Sequence, residues 1–116
     1  MARVRRLDPV AIGATRDHVA ALDARRARIV VVPWLTPGVA GMTLGRWILL
    51  RRGCEDDLGL LAHELVHVRQ WRERGALRFL RGYLAAYVRG RRSGLDHGAA
   101  YAAIPAEVEA RTLTGR

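Results

Sequence analysis

Apolar and polar positions are arranged differently in successive stretches of this chain, and each arrangement predicts its own element. Asp8-Pro9 reads as a helix start, the acid as N-cap and the proline at the first helical position. Val10, Val19 and Leu22 give that helix a weak apolar face to about Arg26, interrupted by Gly13. His18 sits among polar neighbours and reads as an exposed surface histidine. Residues 28–34, R-I-V-V-V-P-W, are a β-branched run stopped by Pro33, which predicts a strand. Thr36-Pro37-Gly38 is turn chemistry. Residues 42–50, M-T-L-G-R-W-I-L-L, predict a second strand that ends at Arg51, Arg52 and Gly53. The two strands are close enough in sequence to pair as a hairpin with a long loop.

The second half is helical in pattern. Glu55, Asp56 and Asp57 place acids where a helix macrodipole favours them. That helix runs to about Arg74 and stops at Gly75, with Arg72 and Arg74 in its last turn. Inside it, residues 58–68 read L-G-L-L-A-H-E-L-V-H-V, where only His63, Glu64 and His67 are polar. Such a helix belongs in a core, yet burying two imidazoles and a carboxylate is costly unless each has a partner. A further helix is predicted over 76–92. Leu77, Leu80, Leu84, Tyr87 and Val88 fall within about 100° of its circumference, and Arg78, Arg81, Arg89 and Arg92 form a stripe beside them. Gly90, Ser93 and Gly94 close it. Residues 95–103 are rich in Gly and Ala and read as a flexible loop carrying Asp96, His97 and Tyr101. Ile104-Pro105 opens a short final helix, and residues 112–116 read as a frayed tail. The expected fold is α+β: a small antiparallel sheet or hairpin packed on the histidine-bearing helix, with two or three further helices.

Composition narrows this picture. A chain of 116 residues predicts one domain, 1–116, with its core over about 28–113, and 50% hydrophobic residues is a globular composition. The net charge is +9, but every basic residue is Arg, a bias that weakens the charge as evidence for nucleic acid. Cys54, the one cysteine, excludes an intramolecular disulfide and fits a reducing, cytoplasmic setting; it reads as a passive thiol. The basic start runs into Asp8-Pro9 rather than an apolar segment, so no signal peptide is expected. The longest uncharged run, 29–45, is broken by prolines and glycines, so no membrane span is expected. Trp34, Trp47 and Trp71 read as packing residues.

The chemistry lies in the apolar helix. His63 and His67, four residues apart, share a helix face, and Glu64 projects about 100° round from His63. This is H-E-x-x-H, the two-histidine zinc motif with a carboxylate beside it. A catalytic Zn2+ needs a third protein ligand and an open position for water. Downstream candidates are Asp96, His97, Glu107 and Glu109. A helix fixes a carboxylate more rigidly than a loop does, which favours Glu107, then Glu109, then His97. Gln70, one turn after His67, is placed either to hydrogen-bond near the site or to serve as an ordinary helix residue.

H-E-L-V-H on a helix, preceded by a strand and followed by P-A-E-V-E-A on a later helix, resembles the gluzincin metallopeptidases. These are the thermolysin-like branch of the zincins, and the likeness is greatest to their very small bacterial and phage members. It covers roughly residues 28–113. It implies a glutamate ligand on the later helix, often within E-x-x-A-D, and Glu107-Val108-Glu109-Ala110-Arg111 matches E-x-x-A with Glu107 as ligand. Arg111 stands where the family often has Asp, which leaves Glu109 to orient a histidine or to be the ligand itself. The residues after His67 lack the H-x-x-G-x-x-H extension, which disfavours the metzincin branch.

The resemblance implies a zinc-dependent metallopeptidase acting on peptide or protein substrates. Glu64, not a ligand, would serve as general base, and Tyr101, His97 or Tyr83 would steady the oxyanion. It also implies that an edge strand before the metal helix, here 42–50, pairs with the substrate. Two alternatives stand beside it. One is a zincin-like binding or assembly module with slow or no hydrolysis, against which the presence of Glu64 speaks. The other is a basic nucleic-acid binder using the arginine stripe. That stripe would equally suit anionic lipid or an acidic partner, and a solvated helix face is its plainer reading. Nothing in the sequence fixes an oligomeric state.

Overall fold

A computed structural model describes residues 4–116; the first three residues of the basic amino-terminal stretch lie outside it. In chain order the elements are β1 (Val4–Arg5), α1 (Pro9–Thr15), α2 (Ala21–Arg26), β2 (Arg28–Val32), β3 (Gly41–Leu44) and β4 (Trp47–Arg51). Then come α3 (Leu58–Arg74), α4 (Ala76–Arg92), α5 (His97–Ala102) and α6 (Pro105–Thr114). The class is α+β, as the patterning predicts, but with more helices than the two or three expected around α3.

The strands form one mixed sheet in the order β1-β2-β4-β3, not a purely antiparallel one. The expected strand over 42–50 is two strands, because Gly45 (φ +65) supplies the positive φ of a tight turn and folds β3 back on β4. The expected hairpin between 28–34 and 42–50 is replaced by a parallel pairing of β2 with β4, Ile29 opposite Ile48 and Val31 opposite Leu50. The segment containing Pro33 and Pro37 carries the chain past β4 to the sheet edge before it turns back. Of the expected 42–50 strand only β3 lies at a sheet edge; β4 is internal, and β1 forms the opposite edge. Along β3 Gly41 and Thr43 are half-buried while Met42 and Leu44 are exposed, the period of two expected of a strand with one covered face.

The amino-terminal helix is also divided. Asp8 caps α1 through Ala11 N–H (2.8 Å). At its end the Thr15 hydroxyl donates to the Ala11 carbonyl (2.9 Å), so the side chain competes locally with the continuing ladder. The linking segment buries Val19, and α2 restarts after an extended Ala20. His18, expected at the surface, is half-buried. Asp23 on α2 is fully buried and takes a two-pronged ion pair from Arg72 at the end of α3 (2.6 and 3.0 Å), a pairing geometry that only arginine supplies.

Helix α3 is the centre of the molecule, packed against α1, α2, β3, β4, α4 and α6. Asp57 caps it through Leu60 N–H (3.0 Å), while Glu55 lies upstream and accepts from Gly53 N–H. On its sheet side Leu61, Leu65, Val66 and Val68 join Ile29, Ile48 and Leu50 in the main core. On its other side Phe79, Ile104 and Ala106, backed by Trp71 and Tyr83, form a smaller core. Residues 95–103 are not a loop: Asp96 accepts from Ala99 N–H (2.8 Å) and starts α5. Gly90 lets α5 approach α4 closely, since a Cβ there would sit 3.1 Å from that of Ala100. The tail is likewise more ordered than expected, α6 reaching Thr114 and Arg116 pairing with Asp57 (2.8 Å). Among the described residues no helix is long and apolar enough to cross a membrane.

Candidate metal centre

Helix α3 places His63 and His67 one turn apart, with their rings 5.0 Å between centroids, on the side facing α6. Helix α6, opened by Pro105, packs on α3 and brings Glu107 against both imidazoles. One oxygen, Glu107 Oε1, lies 3.1 Å from His63 Nε2 and 3.1 Å from His67 Nε2. All three side chains are buried. Their donor atoms lie within 4.8 Å of one another, a set able to hold a metal ion.

Each donor atom but one is aimed by a second residue. The Tyr83 hydroxyl from α4 donates to Glu107 Oε2 (2.6 Å), leaving Oε1 to face the histidines. Gln70 Oε1 lies 2.7 Å from His67 Nδ1, and the Gln70 amide nitrogen donates to the Ala106 carbonyl (3.1 Å) and to Glu109 (2.6 Å). Those two acceptors fix the amide orientation, so His67 Nδ1–H donates to Gln70 Oε1 and Nε2 is the nitrogen turned towards Glu107. Glu109, held also by Arg69 (2.6 Å), faces away from the histidine pair. It thus acts on His67 through Gln70. His63 is the exception: its buried Nδ1 has no partner among the described residues. Arg111 donates to the Ala102 carbonyl (2.7 Å).

Glu64 is buried beside this cluster and is held by the sheet edge. The Thr43 hydroxyl lies 2.9 Å from Glu64 Oε1 and 3.2 Å from the Glu64 carbonyl. Gly41 makes that approach feasible, because a Cβ there would sit 3.3 Å from Glu64 Cγ and 3.2 Å from Leu50. Burial raises the Glu64 pKa, only partly offset by His67, by the Thr43 bond and by His63. Burial also acts upward on Glu107, but bonds from His63 and His67 outweigh it and hold its carboxyl well below the usual carboxylate range. Burial pushes His67 down, and Glu107 more than reverses this, leaving it raised.

A cavity of about 190 Å³ opens over Glu64, His67 and Glu107, walled by Trp71, Phe79 and Tyr83. A second, of about 570 Å³, reaches His63 and His97 from the other end. Val39, Gly41, Met42, Glu64 and Tyr101 border both, so the open space follows β3 and passes the site.

The other candidates fall at the margins. His97 is exposed on α5, its Nδ1 2.9 Å from the Tyr87 hydroxyl, and Asp96 is occupied as a helix cap. Tyr101 borders both cavities, and burial, followed by the charge of Glu107, raises its pKa. Cys54 is a free, half-buried thiol at the end of the β4–α3 turn. Thr43 and Gly41 belong to the site as well, and no motif in the sequence marks them. The usable signal was their spacing of two on a strand, which gives them one face, but nothing in the sequence says that this face meets Glu64. No known family, curated protein or solved structure matches the chain.

Proposed function

We propose that this protein is a minimal zinc-dependent peptidase of the gluzincin kind, with a zincin-like arrangement of edge strand, H-E-x-x-H helix and glutamate helix. The observation that carries the reading is the single Glu107 oxygen 3.1 Å from both Nε2 atoms of the H-E-x-x-H pair. Nitrogen and oxygen ligands about 2.1 Å from a tetrahedral zinc stand roughly 3.4 Å from one another, close to that spacing. His63, His67 and Glu107 would hold the ion, with Tyr83 and Gln70 orienting two of the three. When bound, zinc supplies a Lewis acid that makes water more acidic and polarises a carbonyl.

The remaining work falls to the chain. Thr43 engages one oxygen of Glu64 and leaves the other to accept a proton from water. Burial raises the Glu64 pKa, which moves the group towards the working range of a general base and lets it return that proton to the leaving amine. Tyr83 is committed to Glu107 and His97 to Tyr87, so Tyr101 is the hydroxyl left to donate to a developing oxyanion. An extended peptide would add to the free edge of β3 and cross both cavities, with its backbone paired and its side chains alternating. The free thiol of Cys54 fits a reducing, cytoplasmic setting.

Metal analysis and hydrolysis measured on the same preparations test this. Wild type should carry or take up one zinc per chain, as should Glu109→Ala, whereas His63→Ala and Glu107→Ala should not retain it. Glu64→Gln should keep the metal and lose hydrolysis of a mixed peptide library by about 10²–10⁴-fold, the usual share of a general base. A wild-type chain that cannot be loaded with zinc refutes the site. One that is loaded yet cleaves nothing refutes the peptidase and leaves a binding module.

A further inference from the structure

Helix α4 is amphipathic in the wrong direction for a core helix. Phe79 is its only fully buried residue. Leu77 (73% exposed), Leu80, Leu84 and Val88 form a continuous apolar strip open to solvent. Arg78, Arg81, Arg89 and Arg92 run along one border of that strip, and Arg91 lies in the last turn. The helix contains no acidic residue, and none of these five arginines has an ion-pair partner among the described residues. On its other border the strip meets the cavity over Glu64, where Leu80 and Leu84 form part of the wall with Met42 and Leu44.

We propose that α4 docks the protein on an anionic membrane surface. The helix lies in the headgroup plane, with Leu77, Leu80, Leu84 and Val88 among the upper acyl chains and the arginine stripe on lipid phosphates. Three observations select this occupant. An apolar strip flanked by cations, on a helix of low overall hydrophobicity, is what an interfacial helix needs, and at 17 residues α4 is about 25 Å long. A second copy seated on the same face would bring like charges together with no carboxylate to offset them. Nucleic acid would engage the arginines but leave four aliphatic side chains without a partner, and the one aromatic ring on that arc, Tyr87, is half-buried with its hydroxyl held by His97. Docking in this way turns the mouth of the 190 Å³ cavity towards the lipid, so the chain that reaches it is one lying at a membrane surface. The docking does not depend on the peptidase reading, because neither the strip nor the stripe contains a proposed ligand or base.

Co-sedimentation of the full chain with vesicles at low salt tests it. Binding is expected to vesicles of mixed phosphatidylcholine and phosphatidylglycerol, and not to phosphatidylcholine alone. Each arginine at an anionic surface contributes roughly fivefold, so Arg81→Glu with Arg92→Glu should weaken binding about 25-fold or more. Leu77→Ser with Leu84→Ser should weaken it about tenfold or more while leaving the charge intact. All four positions are exposed, and circular dichroism checks that each variant keeps its fold. The proposal is overturned if mixed vesicles are not bound, or if the leucine pair binds them as wild type does, which is charge adsorption alone. It is also overturned if single-stranded DNA displaces the vesicles, or if the chain instead forms a dimer that the leucine pair dissolves.

Discussion

Helices α3 and α4 are the same length, 17 residues each, and are joined through Gly75, yet they relate to the molecule in opposite ways. Ten residues of α3 are buried, against one of α4. Over residues 60–68 of α3 apolar residues occur all round, so its periodicity is weak, and that weakness is the mark of a stretch enclosed on every side, while Leu58, Gly59 and the last turn from Arg72 to Arg74 are exposed. In α4 the periodicity is strong, but the strip it defines faces out. Strong amphipathicity therefore says that a helix has two unlike faces without saying which one meets the protein. Weak amphipathicity in an apolar helix says that its few polar side chains are buried and each needs a reason. For α3 those reasons are Glu107 for the histidines and Thr43 for Glu64.

The contrast can be broken first at its energetic centre. Leu65 is fully buried midway along α3, between the two histidines, in the main core. Leu65→Ala removes its packing and leaves a cavity, and should cost about 2–5 kcal/mol of unfolding free energy. Urea denaturation measures this directly. A cost under about 1 kcal/mol would mean that α3 is not the enclosed element described here.

This asymmetry also sets what could be read from the chain alone. The α3 span, its Gly75 stop, α4 at 76–92 and Pro105 at the start of α6 rest on local signals, namely caps, glycine, proline and helical spacing, and they stand where the sequence puts them. Glu107 does approach His63 and His67, but the reason that favours it in the sequence, a helix against a loop, does not separate it from His97, which stands on α5. The parallel pairing of β2 with β4 was not legible, because strand partners are chosen by tertiary packing and a hairpin is merely the nearest option in sequence. The outward strip of α4 was missed for a related reason. Phe79 and Tyr83 lie on a different arc from the leucines, and that arc is the one packed on Trp71, Ile104 and Ala106 and bonded to Glu107. Asp96 stands in a Gly- and Ala-rich stretch whose composition predicts a loop, although an acid ahead of alanines is also how a short helix begins.

A smaller effect separates orienting from packing within α3. Gln70 is buried and joins His67 to Glu109 and to the Ala106 carbonyl. Gln70→Leu fills similar space but frees the His67 ring to rotate or change tautomer. Zinc affinity, read by competition with a chromophoric chelator, should fall about 10–100-fold, the usual effect of losing a partner behind a metal-bound histidine. Gln70→Glu keeps an acceptor for Nδ1 and should retain more of the affinity than Gln70→Leu does. Equal affinities in all three proteins would make Gln70 a packing residue of a helix that happens to be polar there.

The smallest effect is the most diagnostic for α4. Leu77 stands in its first turn and is 73% exposed, so Leu77→Ser in the isolated protein removes little buried area. Surface substitutions of this kind stay within about 0.5 kcal/mol. Serine has a slightly lower helix propensity than leucine, which sets the expected sign as weakly destabilising. Set against the cost of Leu65→Ala, that near-neutrality is the energetic form of the difference between the two helices. A loss above about 1.5 kcal/mol would show the strip to be covered in solution. If that loss grew with protein concentration, the cover would be another copy of the chain, because stability gained from association rises with the concentration of the partner.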